Sequence, residues 1–376
     1  MRDLVILGST GSIGVQALEI VRSHPDKFRV VALAAGSSNY GLLAEQAREF
    51  KVPVVATSGE RSQLTSLIPC EVIDGVQAAA QVASIPCDVV LNGITGSIGL
   101  GPTLAALSSG NKVALANKES LVAGGELVTA FGRDRVIPVD SEHSALAQAM
   151  RSGNISELKK VILTASGGPF RKRKDLSDVT LDDALAHPTW SMGPVVTINS
   201  ATMVNKGLEV IEAHHLFGIP YRSIETVIHP QSIVHSMVEF KDGSTIAQAS
   251  PPNMKGPIAY AISEGERLGS VMPAIDWSMN SSWDFEPLDN ERFPAVELAK
   301  RCGELGTAVT AMYNAANEEA VAAFISGKIG FLAIVDLLEK VVQKLGGGAI
   351  SKVRSLEDVS AIEKDARSLA RELMGA

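Results

Sequence analysis

The sequence predicts an α/β chain in three parts: a doubly wound N-terminal sheet, an α+β middle and a helical C-terminal bundle. Three observations predict it. Over the first 130 residues short apolar runs alternate with helical patterns, and a glycine-rich turn follows the first run. In the middle, apolar runs flank Lys241-Asp242-Gly243, a hairpin signal that a purely parallel sheet would not need. From Ala295 the composition is helical. At 376 residues the chain is long enough for two or three domains.

Asp3–Leu7 reads as a short strand, followed by Gly8-Ser-Thr-Gly11-Ser-Ile-Gly14 and a helical pattern through Ser23. Glycine lets the backbone turn tightly and approach a pyrophosphate at the helix N-terminus. The spacing, a GxxGxxG variant, therefore marks a Rossmann-type dinucleotide-binding domain over residues 1–130. A second strand, Arg29–Ala35, ends in Gly36-Ser37-Ser38-Asn39. An NAD site places an acid here for the ribose 2′-hydroxyl. Its absence favours NADP, although no arginine stands in this turn to clamp the extra phosphate. Asp88–Leu91 and Val113–Ala116 read as further buried strands, the latter ending in Asn117-Lys118-Glu119-Ser120. Ligands bind at strand C-terminal ends in such sheets, so this triplet is a candidate for nicotinamide and substrate contacts. A plain helix start, with Glu119 on the dipole, explains it equally well.

Residues 131–270 form the expected catalytic domain. Arg135–Ala145 looks like a strand whose end carries Asp140 and Glu142, which at i and i+2 would point to the same side. Two carboxylates that close need a shared proton or a cation. With Glu209 they make three hard oxygen donors, which suit Mg²⁺ or Mn²⁺ rather than zinc; two exposed acids at a strand end are the plain alternative. His143 is adjacent, but no second His or Cys stands at zinc-ligand spacing, so it reads as supporting or structural. Val161–Thr164 is a strand before Ala165-Ser166-Gly167-Gly168-Pro169, a turn whose hydroxyl could hold phosphate. His187–Pro194 is bounded by proline and glycine yet carries Trp190 and Met192, which suggests a lid or a loop packed on the core.

Residues 200–209, Ser-Ala-Thr-Met-Val-Asn-Lys-Gly-Leu-Glu, carry the most functional information. In a helix, Asn205, Lys206 and Glu209 share a face, and Ser200 just ahead can cap it or bind an anion. An amide, an ammonium, a hydroxyl and a carboxylate on one surface suit a phosphorylated substrate beside a metal. A solvated helix with a local Lys–Glu pair is the competing reading.

Glu264–Arg292 is irregular and rich in Trp, Pro and Asn, which makes 271–292 a linker. The remainder, 293–376, is the helical domain. Its last helix has Ser355 as cap and an apolar stripe of Leu356, Val359, Ile362, Leu369 and Leu373. Acids outnumber bases 42 to 34, for a net charge of −8, which argues against nucleic-acid binding. Cys70, Cys87 and Cys302 show no pairing pattern, no apolar run reaches membrane-spanning length, and the first strand leaves no room for a leader. A cytoplasmic location is expected.

Together these motifs resemble the 1-deoxy-D-xylulose 5-phosphate reductoisomerase family of the non-mevalonate isoprenoid pathway. The resemblance rests on GSTGSIG (8–14), ANKES (116–120), VDSEHSA (139–145), TASGGPF (164–170), HPTWSMG (187–193), SATMVNKGLE (200–209), HPQSIVHSM (229–237) and NAANEEAVAAF (314–324), which span nearly the whole chain. It implies NADPH bound by Thr10, Gly11, Ser12 and Ile13, with Gly36 and Asn39 at the adenosine ribose and Asn117, Glu119 and Gly193 along the cofactor. It implies a divalent metal, Mn²⁺ or Mg²⁺ with Co²⁺ a third candidate, on Asp140, Glu142 and Glu209. It implies a phosphorylated sugar on Lys118, Ser141, Glu142, Ser166, His187, Ser200, Asn205, Lys206 and Glu209. The catalytic set would be Lys118, Asp140, Glu142, His187 and Glu209, with Lys118 and Glu142 the candidates for proton transfer. The family is thought to cleave and rejoin the carbon skeleton by a retro-aldol route, then reduce the aldehyde with NADPH, and it implies a homodimer. The Gly36–Asn39 turn is one residue longer than in some relatives. A homoserine- or semialdehyde-type dehydrogenase shares the two-domain plan but needs no triple carboxylate, and the semialdehyde enzymes need a nucleophilic cysteine. A non-catalytic NADP sensor would use neither the carboxylates nor a phosphate grip.

Overall fold

Apolar runs too short to carry a solvent-facing side pair with one another as a fully buried parallel sheet. The computed structural model describes residues 1–190, 192–347 and 353–375. Its first sheet joins β1 (Arg2–Leu7), β2 (Phe28–Ala35), β3 (Val54–Thr57), β4 (Glu71–Asp74), β5 (Val89–Asn92), β6 (Lys112–Leu115) and β7 (Val136–Pro138) in the order 4-3-2-1-5-6-7, all parallel. Strand order reverses at β1, and the crevice above the carboxyl ends of β1 and β5 is where such sheets take ligands. Leu4, Val5, Ile6 and Leu7 are completely buried, as a central strand requires. Beyond the strands read from sequence, β3 and β4 complete one edge.

The chain divides into two units, each built from three stretches. The first holds this sheet and comprises Met1–Ser120, Val128–Ser144 and Asn253–Pro273; the second comprises Leu121–Leu127, Ala145–Pro252 and Ala274–Ala376. The last stretch of the first unit contributes the helix Lys255–Ile262. Its Ile258, Ala259, Ala261 and Ile262 are buried in one cluster with Ala17, Leu18, Val21 and the strand residues.

The second unit carries a mixed sheet of β8 (Leu158–Ala165), β9 (Ile224–Ile228), β10 (Val234–Phe240), β11 (Thr245–Ala249) and β12 (Glu286–Pro287), in the order 11-10-8-9-12. β8 and β9 run parallel; β10 and β11 form the antiparallel hairpin expected around Lys241-Asp242-Gly243. Helices Ala295–Leu305, Thr307–Ile325, Leu332–Gly346 and Leu356–Leu373 follow, and Ser355 caps the last by accepting from the Asp358 amide at 3.2 Å. Thr307–Ile325 is buried almost all round, which makes it the central helix of the bundle. Between Glu264 and Arg292 the chain is irregular apart from β12. No helix among the described residues is long and apolar enough to cross a membrane.

Two local expectations are corrected. Asp140 and Glu142 do not sit on a strand: β7 stops at Pro138, and the helix Ser141–Ala149 begins immediately after. Ser200 does not cap the helix that follows it. It lies in the last turn of Pro194–Ala201, the chain then turns through Met203 at φ 62°, and a separate helix runs Val204–Phe217.

Candidate active site

In the first unit the glycine-rich turn is set by steric need. Gly8 has φ +77°, and a Cβ there would lie 2.8 Å from the Gly93 carbonyl oxygen; a Cβ on Gly14 would lie 2.4 Å from the Gly8 oxygen. Any other residue at either place would push strand, turn and helix apart. Thr10 and Gly11 precede the helix Ser12–Ser23, which Ser12 and Ile13 open. First-turn amides lack intrahelical acceptors, so this turn is ready for phosphate oxygens. Past β2, Gly36 is exposed, while Asn39 uses its Oδ1 to accept from the Leu42 amide at 3.0 Å and cap Tyr40–Glu49. Only its amide hydrogens are left to offer.

Asn117 is buried and its carboxamide is engaged within the protein. The two hydrogens of its Nδ2 are shared among three acceptors, the carbonyls of Ile94 (2.7 Å) and Gly96 (2.8 Å) and Glu119 Oε2 (2.8 Å), and its Oδ1 accepts from the Ser120 amide at 3.0 Å. Asn117 thereby ties the loop after β5 to the end of β6, which positions the floor of the crevice.

Adjacent strands β6 and β7 deliver Lys118 and Asp140 side by side, with Nζ 2.6 Å from Oδ2 and both side chains mostly buried. Burial works to raise the Asp140 carboxyl, but the Lys118 ammonium, His143 and a hydrogen bond with Glu142 overcome it and hold the group well below the usual carboxylate range. Ser141 Oγ donates to Glu142 Oε2 at 2.6 Å. Asp140 and Glu142 are two carboxylates close to each other, with hard oxygen donors that fit a divalent metal.

The second unit gathers hydroxyls, an imidazole and a buried ion pair. His187 Nδ1 accepts from the Thr189 amide at 3.2 Å and the Trp190 amide at 2.9 Å. Nδ1 therefore carries a lone pair, and the proton sits on Nε2, which is 3.0 Å from Ser166 Oγ. Burial lowers the His187 pKa and keeps the ring neutral. Ser166 Oγ also accepts from the Gly168 amide at 3.2 Å, so its own O–H is left to donate outward. Gly168, at φ +63°, packs this turn against the helix end that carries Ser200; a Cβ there would lie 3.0 Å from the Ser200 carbonyl oxygen. Gly193 is exposed and precedes Pro194–Ala201, its carbonyl accepting from the Thr197 amide at 3.0 Å and hydroxyl at 2.9 Å. Of the expected lid, Ser191 lies outside the described residues.

On Val204–Phe217, Lys206 Nζ pairs with Glu209 Oε2, and the Asn205 amide donates to Glu209 Oε1. Lys206 is 4% and Glu209 1% exposed, so the solvated-helix reading fails. The opposite side of this helix is pinned at Gly207, where a Cβ would lie 2.9 Å from Ala299 Cβ and 3.0 Å from the Tyr313 hydroxyl.

Sequence reasoning missed the basic wall of an open cleft of about 460 Å³ beside Ser166, lined by Arg171, Lys172, Arg173, Phe170 and Pro230. The run Arg171-Lys172-Arg173-Lys174 was its signal. Two of these cations are spent locally, Arg171 on Glu286 and Arg173 on Asp178 and Asp183. Cys87 is poorly suited to act as a nucleophile, since burial pushes its thiol up to about 12.

The profile described as 1-deoxy-D-xylulose 5-phosphate reductoisomerase matches residues 4–125, and those of the family's C-terminal domains match 136–217 and 249–369. Proteins described as this reductoisomerase are 53% identical in Streptomyces coelicolor (99% of this chain, 92% of that one) and 58% identical in Leifsonia xyli (91% of each). A crystal structure of DOX-P reductoisomerase in complex with NADPH, fosmidomycin and magnesium superposes with a TM-score of 0.92 at 36% identity, over 100% of this chain and 98% of that one. The Zymomonas mobilis enzyme in complex with NADPH gives 0.93 at 39% identity, over 100% and 99%. Sequence motifs, two-unit fold and relatives covering the whole chain agree: the chain belongs to the 1-deoxy-D-xylulose 5-phosphate reductoisomerase family.

Proposed function

We propose that this chain rearranges and reduces 1-deoxy-D-xylulose 5-phosphate to 2-C-methyl-D-erythritol 4-phosphate, with NADPH and a divalent metal, in isoprenoid precursor synthesis. The observation that carries the reading is the pair of largely buried lysine–carboxylate couples, Lys118–Asp140 in the first unit and Lys206–Glu209 in the second. Burying charge carries a desolvation cost that pairing only partly offsets, and such retained pairs cluster at functional sites. Asp140, Glu142 and Glu209 would hold Mg²⁺ or Mn²⁺, which when bound supplies Lewis-acid stabilisation of negative charge developing on substrate oxygens. NADPH, on the turn of Thr10, Gly11, Ser12 and Ile13, supplies the hydride.

The chain's own groups do the rest. Ser166, with both lone pairs occupied and its proton free, donates to a phosphate oxygen; Ser200, Asn205 and Lys206 supply further donors. His187 fixes the direction of that Ser166 proton and holds the loop carrying Trp190 over the site, where closure excludes water. Lys118, poised on Asp140, is the group to move a proton at the substrate's hydroxyls, with Glu142 its counterpart. The phosphonate of fosmidomycin, present in a related structure, would occupy the Ser166–Lys206 grip.

On this reading residues 1–130, with the helix Lys255–Ile262 packed in their core, serve NADPH, the domain expected over 131–270 otherwise carries the metal and substrate groups, and 293–376 brace the fold. Three free cysteines fit a reducing cytoplasm, and a homodimer is the expected assembly, open to sedimentation analysis. The deciding assay follows NADPH oxidation with 1-deoxy-D-xylulose 5-phosphate after exhaustive chelation, then with added Mg²⁺ or Mn²⁺. Turnover that appears only with metal supports the reading; full turnover without metal, or none with it, ends it.

A further inference from the structure

The turn after β2 offers no arginine for a 2′-phosphate, yet the sheet brings one to it from elsewhere. Ala35, the last residue of β2, pairs with Thr57, the last of β3, so residues 36–39 and 58–61 leave neighbouring strand ends at the same edge. The two segments touch. A Cβ on Gly36 would lie 3.9 Å from Ser58 Oγ, and one on Gly59 would lie 2.6 Å from Ser37 Cβ and against the Tyr40 hydroxyl. Arg61 follows two residues later. Its amide donates to Asp74 Oδ2 at 3.3 Å, and Asp74 ends β4 opposite Thr57, so the base of the side chain is fixed at the rim.

The chemistry of this rim is one-sided. Ser37, Ser38, Ser58 and Arg61 are all exposed, and Asn39 has only amide hydrogens to give because its oxygen caps a helix. Arg22 and Arg29 of the same unit are committed to Glu49 and Asp3, whereas Arg61 makes no ion pair among the described residues. The acids present are Glu60, exposed, and Asp74, whose carboxylate is turned to the Arg61 amide. Neither stands in the turn after β2, where an NAD site would need one.

We propose that Arg61, the first residue of the short helix Arg61–Thr65 after β3, is the specificity-determining residue for the phosphorylated dinucleotide. Its guanidinium meets the adenosine 2′-phosphate, and the Ser37, Ser38 and Ser58 hydroxyls take the remaining oxygens. This rests on the NADPH reading above and deepens it, replacing a clamp inside the first turn by one the topology supplies. A guanidinium fork suits a phosphate's geometry, and short hydroxyls leave room for it.

The test is calorimetric titration of the full-length protein with NADPH, NADH and 2′,5′-ADP, with no substrate or turnover involved. Arg61→Ala should weaken NADPH and 2′,5′-ADP by about ten- to a hundredfold, the loss of one charge-assisted contact, and leave NADH unchanged. Arg61→Lys should recover part of the loss, and Glu60→Gln should tighten NADPH relative to NADH. The side chain is exposed, so the melting temperature should not move. Unchanged NADPH affinity in Arg61→Ala, or an equal loss for NADH, overturns the assignment while leaving NADPH use intact. A wild-type protein that binds NADPH no more tightly than NADH removes both the clamp and the cofactor reading beneath it.

Discussion

At His187 a single proton would undo the arrangement of a whole loop. The neutral ring accepts from the Thr189 and Trp190 amides, and an imidazolium can accept from neither. Burial lowers the folded pKa below the ordinary 6.5, so the unfolded chain binds the proton first as pH falls. The contribution is complete above 6.5 and is lost as pH drops from there through the lowered folded value. Amide hydrogen exchange at Thr189 and Trp190, corrected for its intrinsic pH dependence, should accelerate as the pH falls through the lowered folded value of His187; constant protection would mean the ring does not hold the loop. The Lys206–Glu209 couple makes a second case. As an exposed helix pair it would be worth about 0.3–0.5 kcal/mol. Buried as it is, the Glu209 carboxylate loses its ammonium partner in Lys206→Ala, which should cost about 3–5 kcal/mol in denaturant melts. Saturating Mg²⁺ should restore part of that stability if Glu209 is a metal ligand; no recovery would remove Glu209 from the metal set. The residue types at these positions were legible in the chain. Their tautomer, their burial and the saturation of Asn117 were not, because those depend on neighbours remote in sequence.

At the scale of elements, periodicity served best where a run was long. The last helix with its Ser355 cap and the β10–β11 hairpin were read almost to the residue. Short pieces escaped: β3 and β4 have four residues each, too few for a period to show. Residues 200–209 read as one helix because no Gly or Pro interrupts Ala201–Asn205; the break falls at Met203, a buried residue in left-handed backbone that its type does not announce. For Arg135–Ala145 a warning was available, since a proline ends a ladder, and Pro138 is where β7 stops. The helix Val204–Phe217 is held by close approach at Gly207. Gly207→Ala should overpack the contact with Ala299 and Tyr313 and cost about 1–3 kcal/mol in thermal or urea unfolding. By shifting the helix it should also depress kcat/KM beyond what the lost stability explains. A fully stable, fully active Gly207→Ala protein would show that the helix tolerates displacement and that its placement is not critical.

On the scale of the molecule, alternating strand and helix patterns were enough for the fold class, because each element's apolar pattern matches its period. What a linear reading could not see is that Asn253–Pro273 belongs with the first unit, since the apolar face of Lys255–Ile262 finds its partners more than a hundred residues away. Ile258, fully buried there, tests the point: Ile258→Ala should cost about 2–5 kcal/mol and weaken NADPH binding, although Ile258 lies far along the chain from the glycine-rich turn. Undiminished cofactor affinity and stability would make that helix an accessory. The chain passes between its two units at residues 120, 127, 144, 252 and 273. During synthesis the parallel sheet is complete once Pro138 emerges, but its last covering helix is not, and at roughly 5–20 residues per second the interval is on the order of ten seconds. For that time a nascent chain carries an uncovered aliphatic face, the condition in which chaperones engage and aggregation begins. A gene for this protein should therefore tolerate slow codons after residue 262 better than between 144 and 252, a difference measurable as soluble yield.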